Sequence, residues 1–452
     1  MNGIVTLAAS GLVPRMAPTS SIGASSAAAA GGGDNGTTTS TTTSVPAATT
    51  SVRLSLSDDV WEQLVKEESQ HEPIPAIEAS TVWIGGIIVF VSAMIWPPLL
   101  LVVTYGLSMF LPYSFRTNDS GESRRRLLDQ FDKQDTLSHS RHEWPTKDVT
   151  LETGYWTTNR GSLLYYSLLI PTTIEGGDTT TMSSVKAVVC HCHGYGDTPT
   201  FTKRRELAIL AQHGIAVVMV DCEGHGRSDG ALGLIKDWNV LTNDLHSFFQ
   251  ETATTKFPGR KVFLMGESMG GAVAYTIIKA HPDVYSGVNF LAPMCKIGKA
   301  LQPSEWVITV GRLLAGPTGT ATWLGYLPIS PVNGNLKMLT YKVAGKRALN
   351  SRVPSQFARK PRLATGRELL NATTMISNSL GEFHAPFLVQ HGRADRVTDP
   401  QLSQALYDEC QSNDKTIRLY DGMWHSLTAG ETDENVELVL NDSIQWILER
   451  AT

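Results

Sequence analysis

The short apolar run 262–265 ends in Gly266-Glu267-Ser268-Met269-Gly270, and a helix-forming stretch, 272–279, follows. Strand, sharp turn and helix form the setting in which a serine hydroxyl is lifted clear of a sheet as a nucleophile. Such a turn leaves no room for side chains two residues either side of the serine, which accounts for Gly266 and Gly270. A serine acting this way needs a base, and the base needs an acid to orient it. His425, in Asp421-Gly422-Met423-Trp424-His425-Ser426, follows the last expected strand and suits the base. The stretch 391–400 follows another strand and offers two acids, Asp395 and Asp399; Asp395 lies nearer the strand end and is preferred. His193-Gly194-Tyr195-Gly196-Asp197 ends an earlier strand, so that the backbone N–H groups of Tyr195 and Met269 are placed to receive an oxyanion. Taken singly, these features read as a glycine turn, a capping aspartate and a loop histidine. Their order, Ser268, Asp395, His425, is the nucleophile, acid, base order of one large hydrolase fold.

The elements that must position these residues are legible as alternation. Strands are expected over 163–170, 185–193, 214–221, 261–265, 286–293, 386–391 and 416–420, with helices over 200–211, 238–255 and 434–450. Short apolar strands alternating with helices predict an α/β fold with a mostly parallel, doubly wound sheet, whose sites lie at the carboxyl ends of strands. Between about 295 and 384 the sheet pattern stops, over a length too great for an ordinary loop. Trp306, Val307, Ile308, Leu313, Leu314, Trp323, Leu324 and Tyr326 there suggest a helical cap with an apolar face. Gly224-His225-Gly226-Arg227-Ser228-Asp229-Gly230 lacks the lysine of a phosphate loop and the spacing of a dinucleotide fingerprint, and reads as a tight structural turn. No His/Cys cluster has metal spacing, so neither metal nor other cofactor is expected.

The rest of the chain bounds the setting. A net charge of -5 over 452 residues argues against nucleic acid as a partner. Five cysteines without CxxC spacing point to a reducing compartment rather than a disulfide framework. Residues 1–55, biased to Ala, Ser, Thr and Gly, are expected to be disordered, the first of them loosely resembling a transit peptide. An acidic juxtamembrane helix is expected within 56–78, with Ser57 as its cap. From Ala79 to Phe115 no residue is charged. A spanning helix needs about 20 apolar residues, so 79–113 is expected to enter a membrane, Pro97-Pro98 leaving a kinked span and a hairpin both open. Acids precede this run and Arg116, Arg124, Arg125, Arg126 and Lys133 follow it, which places the main domain on the cytosolic side and makes 114–144 a basic linker to a domain over 145–451.

Five stretches together carry a resemblance: 193–197, 221–230, 266–271, 393–400 and 419–427. Through them, residues from about 145 to 450 resemble the monoacylglycerol lipase branch of the α/β-hydrolases, close to its plant lysophospholipase and caffeoylshikimate-esterase-like members. The resemblance implies Ser268 as nucleophile, Asp395 as acid, His425 as base and Tyr195 and Met269 as oxyanion donors. The first 140 residues match nothing in that family. The expected activity is hydrolysis of a lipid carboxylic ester through an acyl-enzyme, monoacylglycerol or lysophospholipid being favoured. Alternatives are an esterase of soluble or hydroxycinnamoyl esters, an acyltransferase (whose His-x-x-x-x-Asp signature is absent), a peptidase needing an acidic site for a free amine, and a non-catalytic membrane scaffold. Acyl length, organelle and oligomeric state have no signature in the sequence.

Overall fold

The computed structural model describes residues 62–63, 65–66, 121–134, 148–175, 178–180, 184–199, 203–295, 304–322, 324–330, 336–353 and 360–452. The expectations for 1–55 and 79–113 lie outside these residues. Of the helix expected within 56–78, Glu62, Gln63, Val65 and Lys66 are described, and they are helical. No helix among the described residues is long and apolar enough to cross a membrane.

The fold is an eight-stranded sheet in the order β1-β2-β6-β5-β7-β8-β9-β10. Its strands are β1 (Val149–Thr157), β2 (Leu163–Pro171), β5 (Ala187–Cys192), β6 (Ile215–Val220), β7 (Val262–Glu267), β8 (Gly287–Leu291), β9 (Phe387–Gly392) and β10 (Lys415–Tyr420), while β3 (Thr173–Glu175) and β4 (Asp178–Thr180) form a separate hairpin. β6 to β10 pair in parallel; β1 and β2 are antiparallel, and β2 joins β6 antiparallel. Strand β1 was not among the expected strands, because its register puts most side chains half in solvent and leaves no apolar run.

Burial on both faces explains why the central strands are apolar throughout. In β6, Ile215, Val217 and Met219 pack towards helices α2 (Arg204–Gln212) and α10 (Asp433–Ala451). Ala216, Val218 and Val220 pack to the other side, with α3 (Trp238–Lys256), α4 (Met269–Ala280) and α9 (Pro400–Glu409). The chain passes from β5 outward to β6, then returns across β5 to β7. The strand order therefore reverses at β5, and a crevice opens beyond the carboxyl ends of β5 and β7. Between β8 and β9 the described residues form α5 (Glu305–Ala315), α6 (Leu336–Thr340), α7 (Ala344–Ser351), α8 (Leu363–Asn378) and one 3-10 turn, with no strand among them.

One stretch differs from its expectation. Residues Gly121–Gln134, read as part of a basic linker, form the helix α1. Its face bearing Gly121, Arg124 and Leu128 is buried. The Arg124 guanidinium donates to the carbonyls of Gly226 (3.1 Å), Gly230 (2.7 Å) and Ser228, and Arg125 pairs with Asp229 at 2.8 Å. These arginines are ligands of the Gly-rich turn, and the folded body begins before residue 145.

Candidate active site

Register alone sets Ser268 beside the loop 193–197. Cys192 of β5 pairs with Gly266 of β7, so the residues that follow each strand emerge as neighbours. A Cβ on Gly194 would lie 3.5 Å from the Ser268 Cβ. Ser268 has φ 56° and ψ −118°, and the only other non-glycine residue at positive φ among the described residues is Ala292, at the end of the adjacent β8. Backbone held this way costs on the order of 1–3 kcal/mol and persists where its surroundings over-determine it. Here the Ser268 N–H donates to Leu291 O (3.0 Å), and its carbonyl accepts from Met294 N (2.9 Å) and Gly271 N (2.9 Å). Gly266 and Gly270 are obligatory: a Cβ on Gly266 would stand 2.3 Å from Gly270 O, and one on Gly270 1.9 Å from Cys192 O. Met269 opens α4, and its N–H is one of those that a helix start leaves without an intrahelical partner.

On the other side of the crevice, His425 Nδ1–H donates to Asp395 Oδ2 at 2.7 Å, and both side chains are buried. Burial disfavours the imidazolium, but the Asp395 carboxylate and its hydrogen bond outweigh it, with help from Glu267 and against Lys203, so His425 is raised above the ordinary histidine value of 6.5. Burial likewise works against the Asp395 carboxylate, yet His425 and the hydrogen bonds it accepts hold it well below the usual carboxylate range. Asp399, the other acid considered, caps α9 instead: its side chain accepts from Gln401 N at 2.9 Å. The Ser268 hydroxyl is not hydrogen-bonded to His425 in this structure, a spacing common before substrate draws such a pair together.

Several partners of these residues had no sequence signal pointing to them. His391 Nε2–H donates to the same Asp395 oxygen at 2.9 Å, its Nδ1 taking the Ser403 hydroxyl at 2.7 Å. Thr398 Oγ1 donates to Asp395 Oδ2 at 2.8 Å, and the N–H groups of Val397 (2.6 Å) and Thr398 (3.1 Å) bind Oδ1. The carboxylate is thus fully solvated by protein, which fixes its orientation and its charge. The loop carrying His425 is gripped from the cap side. Trp424 N–H donates to the buried Glu431 (2.7 Å), Lys346 reaches Glu431 O (2.7 Å), Lys342 reaches Gly422 O (2.8 Å) and Ser426 N–H donates to Thr340 O (3.0 Å). A histidine at a strand end or a threonine in a turn carries no local pattern that would mark these roles.

In the loop 193–197, His193 accepts from Cys222 N–H at Nε2 (2.9 Å) and donates from Nδ1 to Gly194 O (2.8 Å), so it is a neutral structural imidazole, its pKa lowered by burial. The Tyr195 hydroxyl donates to Gly233 O at 2.8 Å, and the ring of His225 lies edge-on to both His193 and Tyr195. The Gly224–Gly230 turn is tied to this loop through Asp221, whose carboxylate accepts from Arg227 N (3.0 Å) and from Thr198 Oγ1 (3.3 Å). All five cysteines are free and buried.

A strained serine at a helix start, a buried carboxylate-imidazole pair and a glycine loop against the serine form the parts list of acyl transfer. Comparison with known proteins supplies the family. The family described as Hydrolase_4, serine aminopeptidase S33, matches residues 183–433. Caffeoylshikimate esterase of Arabidopsis thaliana is 32% identical over 309 residues, 68% of this chain and 88% of that protein. Monoglyceride lipase of Homo sapiens is 28% identical over 266 residues, 59% of this chain and 83% of that protein. A soluble variant of monoglyceride lipase from Saccharomyces cerevisiae, solved with a substrate analog, shares the fold with a TM-score of 0.56 at 21% identity, over 68% of this chain and 97% of that one.

Proposed function

The chain belongs to the monoacylglycerol lipase-like α/β-hydrolases, the Hydrolase_4 family, and on that premise we propose that it is a membrane-anchored serine hydrolase cleaving carboxylic esters of amphiphilic lipids, monoacylglycerol or lysophospholipid first among them. In this reading Ser268 Oγ attacks the ester carbonyl carbon while His425 Nε2 takes its proton, and the N–H groups of Tyr195 and Met269 hold the oxyanion. As the tetrahedral intermediate collapses, the C–O bond to the alcohol breaks and the imidazolium returns the proton to the leaving oxygen. Water then attacks the acyl-enzyme with His425 again as base, freeing the acid and Ser268. The observation that carries this reading is the 2.7 Å contact of His425 with Asp395, on the loops after β10 and β9, taken together with the strained Ser268 after β7.

The cap favours a lipid. On α5, Trp306, Val310 and Leu313 fall on one face and are 71%, 44% and 79% exposed, an apolar stripe suited to meeting acyl chains at a bilayer surface. The apolar run 79–113 is the proposed anchor, and the arginines that follow it favour a hydrolase domain on the cytosolic side. The cap acids do not favour an aminopeptidase. Glu305 is exposed, Glu382 pairs with Lys279 (2.7 Å), and Glu368 is buried and occupied by Arg367 (2.8 Å) and Trp238 N–H (3.0 Å). The likeness to a caffeoylshikimate esterase supports a second reading, hydrolysis of hydroxycinnamoyl esters with the same residues. Turnover of long-chain monoacylglycerol and of a hydroxycinnamoyl ester by the full-length protein separates the two. Preference for the aromatic ester overturns the lipid reading, and equal activity on bilayer-embedded monoacylglycerol after loss of residues 1–115 overturns the anchor.

A further inference from the structure

Lys203 stands just before α2 and is 2% exposed, a rare location for a lysine. Its ammonium binds Glu267, the residue before Ser268, and Asp197 at 3.1 Å, two residues beyond Tyr195. The same Glu267 oxygen accepts from Thr428 Oγ1 at 2.7 Å, three residues beyond His425. One buried ion cluster therefore touches each of the three loops that carry the site: the oxyanion loop, the elbow and the histidine loop. Stability alone does not account for it. Desolvating two carboxylates and an ammonium costs about as much as their attraction returns, and apolar side chains of similar volume would serve as well. What an ion cluster supplies and apolar packing does not is a fixed relative position and a fixed field.

We propose that Lys203 and Glu267 are positioning residues for the hydrolysis: they hold the oxyanion donors, the nucleophile and the base in mutual register, and their paired charges balance the field at His425. The inference rests on the serine hydrolase reading above and extends it to residues that touch neither substrate nor reacting atoms. The charges facing the imidazole are Asp395 from the loop after β9, Glu267 from the elbow and Lys203 beside α2, with His391 on the far side of Asp395. Glu267 favours the imidazolium and Lys203 opposes it. Burial works against the Lys203 ammonium, but its two carboxylates hold it charged, and Asp197 is in turn lowered by Lys203 against the effect of its own burial.

The two halves of the pair consequently act on the base with opposite sign. Neutralising Lys203 leaves Glu267 and Asp197 uncompensated, raises the pKa of His425 and moves the acid limb of kcat/KM to higher pH. Neutralising Glu267 does the reverse. The test uses full-length Lys203→Met, Lys203→Arg, Glu267→Gln and the double variant Lys203→Met/Glu267→Gln, each assayed on a short-chain p-nitrophenyl ester across pH. Near-ultraviolet circular dichroism and melting temperature report the fold. The expected results are a kcat lowered roughly 100-fold in Lys203→Met, the cost of a displacement of about 1 Å, with KM within a few-fold. Lys203→Arg should recover part of kcat, the acid limb should move in opposite directions in the two single variants, and it should return towards the wild-type position in the double. If Lys203→Met does not fold, Glu267→Gln carries the test, since the amide keeps the Thr428 contact and its acid limb must move down. A folded Lys203→Met with wild-type kcat, or acid limbs unmoved in both single variants, overturns the proposal. Failure of the underlying reading looks different: Ser268→Ala would then keep its turnover.

Discussion

Substituting alanine for Gly270 adds one methyl group in the wall between nucleophile and oxyanion loop. The new Cβ would lie 1.9 Å from Cys192 O, 2.5 Å from Cys192 C and 2.8 Å from His193 O, all backbone atoms, so no side chain can rotate out of the way. Ordinary contact begins near 3.4 Å, and the shortfall of about 1.5 Å must be met by parting β5 from α4, which moves the Tyr195 and Met269 N–H groups relative to Ser268. A displacement of about 1 Å at reacting groups costs on the order of 10²-fold, and losing one oxyanion donor costs about 10²–10³-fold. Gly270→Ala is thus expected to lower kcat by at least about 100-fold and to lower the melting temperature, since β5 is central to the sheet. Steady-state kinetics on a water-soluble ester, with circular dichroism to confirm the fold, reads both effects. A folded Gly270→Ala enzyme with kcat within threefold of wild type would refute the reasoning, because the glycine would then owe nothing to the close approach of the two loops.

Three further outcomes follow from the same geometry. His391→Leu removes one donor from Asp395, a hydrogen bond to a charged group worth about 1.5–3 kcal/mol, so kcat/KM should fall roughly 10- to 100-fold; a change under twofold would show that Thr398 and the two N–H groups suffice. Arg124→Met leaves the carbonyls of Gly226, Ser228 and Gly230 without their donor, and urea unfolding should show a loss of about 3 kcal/mol. Arg126→Ala, which breaks only an exposed pair with Glu122, should leave stability unchanged; equal effects would contradict a docked α1. Because catalysis needs neutral His425 and Asp395 raises its pKa, kcat/KM should rise with pH through a limb above 6.5. Asp395→Asn should bring that limb down and cut kcat by roughly 10³–10⁴-fold, and an acid limb that stays in place would assign it to another group.

What the sequence made legible is what local pattern encodes. Gly266 marks a turn because the clash it avoids, with Gly270, lies within four residues, whereas the clash that Gly270 avoids is with the remote Cys192 backbone; the alternation of short apolar strands with helices marks a parallel sheet because both faces of such strands are buried. The choice of Asp395 over Asp399 rested on nearness to a strand end, and Asp399 proves to cap α9. Contacts remote in sequence left no such trace. Arg124 meets its carbonyl partners 102 to 106 residues away, so a docked helix reads as a run of positive charge. Lys203 and Glu267 are 64 residues apart, and either alone looks like a surface residue. Strand β1 stayed hidden for a different reason: an edge strand half in solvent has no need of a continuous apolar run.

The central claim is that Ser268 is the acylated nucleophile of a lipid ester hydrolase. The most direct test presents full-length wild type and Ser268→Ala with monoacylglycerol in phospholipid vesicles, and separately with a serine-directed fluorophosphonate. The account predicts fatty acid release and covalent labelling by the wild type and neither by the folded variant. Release of fatty acid by Ser268→Ala at the wild-type rate, or labelling at a different residue, would contradict it.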